Sequence, residues 1–444
     1  MPGNDYQNFS KDQLLALVQN ADAKKHYGLL WEEDKIPENV VQDCENKLPT
    51  VKEIKKKSII SGTGLPQNML IEGDNYHALK VLAESHKAAV DLIYIDPPYN
   101  TGKKEDFMYN DKYVDLDDSY RHSKWLSFMH KRLTLAADLL SKKGAIFISI
   151  DDNEIAQLKL LCNQIFGEDN FVAQFIRKNK TGSGHDSSQV AVEFDYMLCY
   201  AKNKTLLKFE KEKLDVENDR KYKLEDVHIK HRGKYYLRDL DYKGSYSPSL
   251  DYELEMPDGH VVLAGGRKGK PNTWRWSKEK VEWGKSNDFI VFKKRKDKWK
   301  AYIKQYQFVD NENGRRERKL PYRAIIEFLN KENSRELNSI VPQNNFRFPK
   351  PVGLILFCIK LFTDKNITVL DFFAGSGTTG QAVLQANAAD TGNRKFILCT
   401  NNENNICETV TYPRLKNLIK GYDLNGKKIE GIKANLHYYK TAFK

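Results

Sequence analysis

Long apolar runs, paired cysteines and histidine clusters are missing from this sequence. No uninterrupted apolar stretch approaches the ~20 residues that a membrane-spanning helix needs, and 30% of the residues are charged, so no membrane span is expected. The N-terminus, Met1-Pro2-Gly3-Asn4-Asp5, lacks the basic-then-apolar layout of a secretory leader, so secretion is not expected either. The six cysteines (Cys44, Cys162, Cys199, Cys358, Cys399, Cys407) form no C-x-x-C pair. Neither a zinc site nor a disulfide framework is indicated, and reduced thiols in a cytoplasm are the simplest expectation. Ten histidines show no H-E-x-x-H or clustered spacing, so no metal is expected. Fixed-period repeats and low-complexity tracts are absent as well.

What is present suits a multidomain globular chain. Its 444 residues correspond to two or three domains of about 100–200 residues. An apolar share of 40% supports real cores and rules out disorder. The 72 Lys and Arg against 60 Asp and Glu leave a net charge of +12, compatible with a nucleic-acid partner but weak evidence alone.

Four zones are predicted. Residues 1–66 read as a polar, helical N-terminal extension closed by Gly62-Thr63-Gly64-Leu65-Pro66. Residues 67–171 alternate strand and helix: strands at Met69–Asp74, Val90–Ile95 and Ala145–Ile150, helices at Tyr76–Ser85 and Trp125–Leu140. Such alternation indicates a parallel sheet. Residues 172–345 lose the alternation, are rich in Lys, Arg, Tyr and Trp, and read as an inserted, irregular or β-containing domain. The pattern returns over 346–444, with a strand at Ile367–Leu370, a helix at Thr378–Ala388 and a strand at Phe396–Cys399.

Two constellations carry chemistry. Asp96-Pro97-Pro98-Tyr99-Asn100 follows a buried strand, at the end where open α/β sheets place ligands. Two prolines fix the backbone and remove two N–H donors, so the Asp96 carboxylate and a carbonyl near Pro97 face the cleft as acceptors. That pair suits an amino group with two hydrogens to donate, and Tyr99 offers a ring for stacking a planar heterocycle. An exocyclic amine on a nucleobase meets both demands; a rigid turn is the plain alternative. Asp371-Phe372-Phe373-Ala374-Gly375-Ser376-Gly377 is a strand-to-helix turn whose glycines let backbone approach a ligand. It is taken as other than a dinucleotide-binding turn, which leaves a nicotinamide oxidoreductase as a distant alternative.

Together, with a basic insert between them, these motifs resemble the S-adenosylmethionine-dependent amino-methyltransferases of DNA in the order called beta. Further segments are similar to the Mod subunits of type III restriction–modification systems: Tyr27–Glu32, Ile71–Asn75, Ile165–Phe171, Glu193–Lys202, Phe348-Pro349-Lys350-Pro351 and Asn435–Thr441. The resemblance implies a Rossmann-like α/β fold with a mostly parallel seven-stranded sheet, a circularly permuted motif order and an inserted target-recognition domain. It implies methyl transfer from S-adenosylmethionine to the N6 amino group of an adenine flipped out of double-stranded DNA. In the catalytic role it puts Asp96, Pro97, Pro98 and Tyr99. To the cofactor it assigns Asp74, Asn75, Asp96, Lys350, Asp371, Phe373, Ala374, Gly375, Gly377 and Thr378, with Asp371 on the ammonium and Lys350 in the segment closing over the same end. The acid that binds the cofactor ribose in many such enzymes is replaced by Thr400, leaving Asn402 or Glu403 to supply that contact. The resemblance also implies a homodimer, a Res subunit as partner and a cytoplasmic location on DNA.

The basic insert is the candidate reader of DNA, with Lys293, Lys294, Arg295, Lys296 and Trp299, and with Trp274-Arg275-Trp276 as a second mixture of cations and aromatics. A solvated charged face is the alternative for the lysine run. No Pro-Cys pair occurs, so cytosine-C5 transfer is not expected, and Cys162, Cys199 and Cys399 read as core. Asp151-Asp152 reads as a polar cap before a helix. The remaining alternatives are a cytosine-N4 methyltransferase, which usually carries serine at the position of Asp96, and a catalytically silent DNA-binding subunit.

Overall fold

The computed structural model describes residues 10–11, 29, 31, 38–102, 107–109, 112–182, 190–213, 220–266, 272–295, 298–317, 319–331 and 333–444. The chain forms two compact units, Met1–Glu210 with Arg323–Lys444, and Lys211–Tyr322.

The first unit is built on a ten-stranded sheet. Its strands in chain order are β1 (Pro49–Glu53), β2 (Gln67–Glu72), β3 (Val90–Ile95), β4 (Leu140–Ile150), β5 (Phe171–Lys178), β6 (Phe194–Ala201), β7 (Ile325–Glu327), β8 (Thr368–Asp371), β9 (Lys395–Thr400) and β10 (Asn435–Phe443). Their order across the sheet is β1-β10-β2-β9-β8-β3-β4-β6-β5-β7. The expected seven strands are the inner run from β2 to β5, in which β6 alone opposes the rest. Three more strands widen the sheet: β10 pairs parallel to β2, β1 pairs antiparallel to β10, and β7 pairs parallel to β5.

Central strands are buried on both faces. Leu92 and Tyr94 alternate with Ile93 and Ile95, all at 2% exposure or less, as a sheet covered on two sides requires. The helices α1 (Asn39–Asn46), α2 (Asn75–Ser85), α3 (Arg121–Leu139) and α4 (Ile155–Phe166) pack side by side, as do α5 (Val352–Lys360), α6 (Thr378–Asp390) and α7 (Tyr412–Lys420). Trp125, Met129 and Ala136 line the buried stripe of α3 at helical spacing.

Two predicted boundaries shift. Within the zone 1–66, β1 belongs to the sheet and α1 packs on α2; Tyr27-Gly28 and most of residues 1–37 lie outside the described residues. Residues 172–210 and 323–345, expected in the insert, belong to the first unit, because β5 and β6 form an antiparallel pair against β4 and β7 extends that edge.

The second unit has its own core. Tyr235–Asp239, Lys298–Tyr306 and Ile290–Arg295 form an antiparallel three-stranded sheet, and Lys278–Ser286 is a helix capped by Ser277. Leu240, Trp274, Trp276, Val281, Phe289 and Ile303 pack together beneath them. All six cysteines are buried and unpaired, and among the described residues no helix is long and apolar enough to cross a membrane.

Candidate active site

The two motifs meet because β8 pairs with β3. Val369 lies opposite Leu92 and Leu370 opposite Ile93, in parallel. With β9 and β2 parallel to them, the carboxyl ends of four strands share one edge. Asp74-Asn75 follows β2, Asp96–Asn100 follows β3, Phe373–Gly377 follows β8, and Asn402-Glu403 follows β9. That edge is where an open parallel sheet binds its ligand.

After β3 the backbone is held from outside. The Trp125 indole N–H donates to the Pro98 carbonyl at 2.8 Å, and Trp125 is fully buried. Asn100 takes a left-handed conformation, φ 55°, and its buried amide donates to Glu154 Oε1 at 2.5 Å. Glu154 also meets His122 Nδ1 at 2.7 Å, and burial pushes its carboxyl above the ordinary range. No hydrogen bond to the Pro97 carbonyl is present among the described residues.

Lys350 closes a charged chain across this loop. Its ammonium lies 3.1 Å from Asp96 Oδ1 and 3.9 Å from Asp195 Oδ2, and donates to the Tyr99 hydroxyl at 2.6 Å. Arg177 grips Asp195 through two nitrogens, Nε on Oδ1 at 2.6 Å and Nη2 on Oδ2, and reaches Asn330 at 3.1 Å. Burial, with the Asp96 charge beside it, raises the Tyr99 phenol well above its usual value, so Tyr99 is a neutral ring.

The glycine turn is braced twice. Gly375 has φ 47° and Gly377 φ 80°, a region open to glycine at little cost. Asp371 is buried; its Oδ1 accepts from the Phe373 N–H at 3.0 Å and its Oδ2 from the Thr379 hydroxyl at 2.6 Å. Burial, against those bonds, pushes its carboxyl up to about 7. Behind the turn, Arg414 donates to Ser376 Oγ and Thr378 Oγ1 at 2.9 Å each and to Gln381 at 2.7 Å. Ala374 is buried and Phe373 packs on Phe128, 5.9 Å between ring centres. Gly375, Gly377 and Gly380 do have G-x-G-x-x-G spacing, so spacing does not separate this turn from a dinucleotide-binding one. The third glycine serves helix–strand packing, since a Cβ at Gly380 would lie 2.6 Å from Leu415 and 3.0 Å from Leu398.

Asp74 and Asn75 open α2 and are fixed by one arginine. Asp74 caps the helix by accepting from the Tyr76 N–H at 2.7 Å. Arg132, buried on α3, donates to Asn75 Oδ1 at 2.5 Å and to Glu38 at 2.9 Å, and lies 3.6 Å from Asp74. The Asn75 amide in turn donates to the Phe372 carbonyl at 3.1 Å, joining β2's loop to the glycine turn.

The family profile described as DNA methylase matches residues 90–412, spanning both motifs and the unit between them. The chain belongs to this family. It is similar to the type III restriction-modification enzyme EcoPI Mod subunit of Escherichia phage P1, with 34% identity over 379 residues, 76% of this chain and 58% of that one. The StyLTI Mod subunit of Salmonella typhimurium is 35% identical over 358 residues, 75% of this chain and 52% of that one. The type II methyltransferase M.KpnI of Klebsiella pneumoniae is 30% identical over 371 residues, 79% and 84% respectively. The chain thus spans little more than half the length of these Mod subunits.

Other predicted residues fall differently. Thr400 is almost buried and donates to the Asn401 carbonyl at 3.3 Å, whereas Glu403 is half-exposed and accepts from Tyr113 at 3.3 Å. The expected polar cap does not form: the N-cap of α4 is Glu154, with no side-chain cap bond, Asp151 accepts from the Asn153 N–H at 3.0 Å in the preceding turn, and Asp152 accepts from the Tyr196 hydroxyl at 2.8 Å. In the second unit, Lys293 and Lys294 are exposed on a hairpin, opposite Lys300 and Trp299. The Trp299 indole N–H donates to Asp258 at 2.5 Å. Lys296 lies outside the described residues, as does the Arg295 side chain. Trp274 and Trp276 are core residues; they face the packed interior and cannot stack on a base.

Arg132, Arg177 and Trp125 escaped the sequence reading. A signal existed for two of them: Arg132 falls on the apolar stripe of α3 with Met129 and Ala136, and Arg177 alternates in phase with buried Phe175. A charge at a buried register position needs a partner.

Proposed function

We propose that this methylase transfers the methyl group of S-adenosylmethionine to the N6 amino group of an adenine flipped out of double-stranded DNA, in a restriction–modification system. What carries the reading is the pairing of β8 with β3, which sets the acceptor loop Asp96–Tyr99 beside the glycine turn Gly375–Gly377.

The residues fit the cofactor. The turn is a cradle that side chains would fill: a Cβ on Gly375 would meet Phe346 at 3.3 Å and one on Gly377 would meet Thr411 at 3.1 Å. When bound, S-adenosylmethionine supplies an electrophilic methyl on a positively charged sulfur. Phe373, Ala374, Gly375, Gly377 and Thr378 form the wall for its methionine end, with Lys350 nearby. Asp371 serves the turn, through its two bonds to Phe373 and Thr379, rather than the ligand directly. Asp74 and Asn75 line the adenine pocket, and Glu403 or Asn402 meets the ribose.

Asp96 and the Pro97 carbonyl accept the two amino hydrogens of the target base, which frees the nitrogen lone pair for in-line attack. Tyr99, neutral and held by Lys350, stacks on the base. Asp96 would then take the surplus amine proton and pass it to water once the nitrogen has accepted the methyl that the bound cofactor would supply. The work is positioning and electrostatics, with no protein nucleophile.

The unit Lys211–Tyr322 reads the DNA in this proposal, with Lys293 and Lys294 on phosphate. A homodimer, a Res-type partner and a cytoplasmic location complete it. The test is transfer of labelled methyl to duplex DNA, followed by base hydrolysis. N6-methyladenine is the expected product. N4-methylcytosine would overturn the base assignment, and unlabelled DNA from protein that still binds it would favour a silent binding subunit.

A further inference from the structure

Lys350 stands where the reaction needs open space. Its ammonium donates to the Tyr99 hydroxyl at 2.6 Å and lies 3.1 Å from Asp96 Oδ1, an ion pair that leaves this oxygen without a hydrogen bond, beside the acceptor that the target amine must use. A second carboxylate waits on its other side: Asp195 Oδ2 is 3.9 Å away, anchored by Arg177. The Lys350 side chain is largely shielded, with 14% exposure, so a charge placed near it is weakly screened. Its backbone lies between Pro349 and Pro351, ahead of α5. The frame is stiff while the four-carbon stem can swing.

We propose that Lys350 is a charge-sensing positioning residue that pairs with Asp96 and moves to Asp195 when the cationic cofactor binds. The inference rests on the methyl-transfer reading, which requires the sulfonium and the amine held by Asp96 to be neighbours. Two cations then crowd one carboxylate, and the ammonium is driven to the other. After transfer the sulfur is a neutral thioether. Repulsion ends, Lys350 returns to Asp96, and the methylated amine loses its acceptor. Lys350 thereby favours the neutral product cofactor over the charged substrate cofactor, and couples release of both products.

Calorimetric titration of the full chain with S-adenosylmethionine and with S-adenosylhomocysteine tests this, in wild type, Lys350→Met, Lys350→Gln and Lys350→Arg. Removal of the charge is expected to raise affinity for the methylated form relative to the demethylated form by about tenfold, the scale of one like-charge contact removed from a shielded site. Lys350→Arg keeps the wild-type ratio. A merely structural lysine would weaken both ligands alike; an unchanged ratio in both the Met and Gln variants would overturn the inference while leaving the methyl-transfer reading intact. Failure of wild type to bind either ligand would overturn that reading, and this inference with it.

Discussion

Leu370 lies opposite Ile93 in a parallel ladder, and that one pairing makes a site from two motifs at distant places in the chain. The loop after Ile95 and the turn after Asp371 leave the same sheet edge as neighbours. The proposed chemistry depends on that edge being rigid.

Trp125 keeps the acceptor loop in place through its bond to the Pro98 carbonyl. Trp125→Phe keeps most of the ring volume and leaves the half-buried Pro98 carbonyl without its donor. The variant is expected to lose about 1–3 kcal/mol of stability. Methyl transfer should fall more than DNA binding does, which parallel urea melts, turnover rates and gel-shift titrations would show.

Arg132 ties Asn75, Asp74 and Glu38 together. Arg132→Met leaves the buried Glu38 carboxylate to Lys131, 3.8 Å away, and should cost about 3 kcal/mol. At temperatures where the variant stays folded, affinity for S-adenosylmethionine should drop, measured by calorimetry. Unchanged stability and affinity would mean that the arginine is dispensable.

The Asp371 carboxyl gives a pH dependence whose sign is fixed. Its folded value, about 7, lies above the ordinary 3.8, so the folded chain holds a proton that the unfolded chain releases. The stability this provides is full below about pH 4 and is lost as pH rises through 7. The bound on the effect is of the order of 4 kcal/mol. Asp371→Asn cannot titrate, so its urea midpoint should fall less than that of wild type between pH 5 and pH 8.

Gly377 sits at φ 80° with Thr411 close by. Gly377→Ala adds a left-handed alanine and a contact at 3.1 Å, a strain of about 1–3 kcal/mol. Cofactor affinity should fall with it, and Thr411→Ser in the same chain should restore part of the loss by opening the methyl's space.

Much of this was legible in the sequence because local pattern and burial agree there. The apolar runs at 90–95 and 367–370 read as buried strands, and Pro97-Pro98 and Gly375–Gly377 as breaks after them. The insert was less legible at its ends: Phe171–Lys178 and Phe194–Ala201 look like the irregular aromatic stretch that follows, and only their pairing with Leu140–Ile150 assigns them to the sheet. Side chains at Trp274 and Trp276 misled for a related reason. Aromatic residues among cations read as a surface, while the fold turns Arg275 outward and both indoles into the core. Arg177 and Asp195 were invisible as a pair, because nothing local records which two strands adjoin.

The most direct measurement expresses the chain in a methylation-free bacterial host and maps modified bases by single-molecule sequencing, beside an Asp96→Ala variant of equal stability. N6-methyladenine is expected in one sequence context with wild type and none with the variant. Methylation that survives the loss of Asp96 would contradict the proposed mechanism.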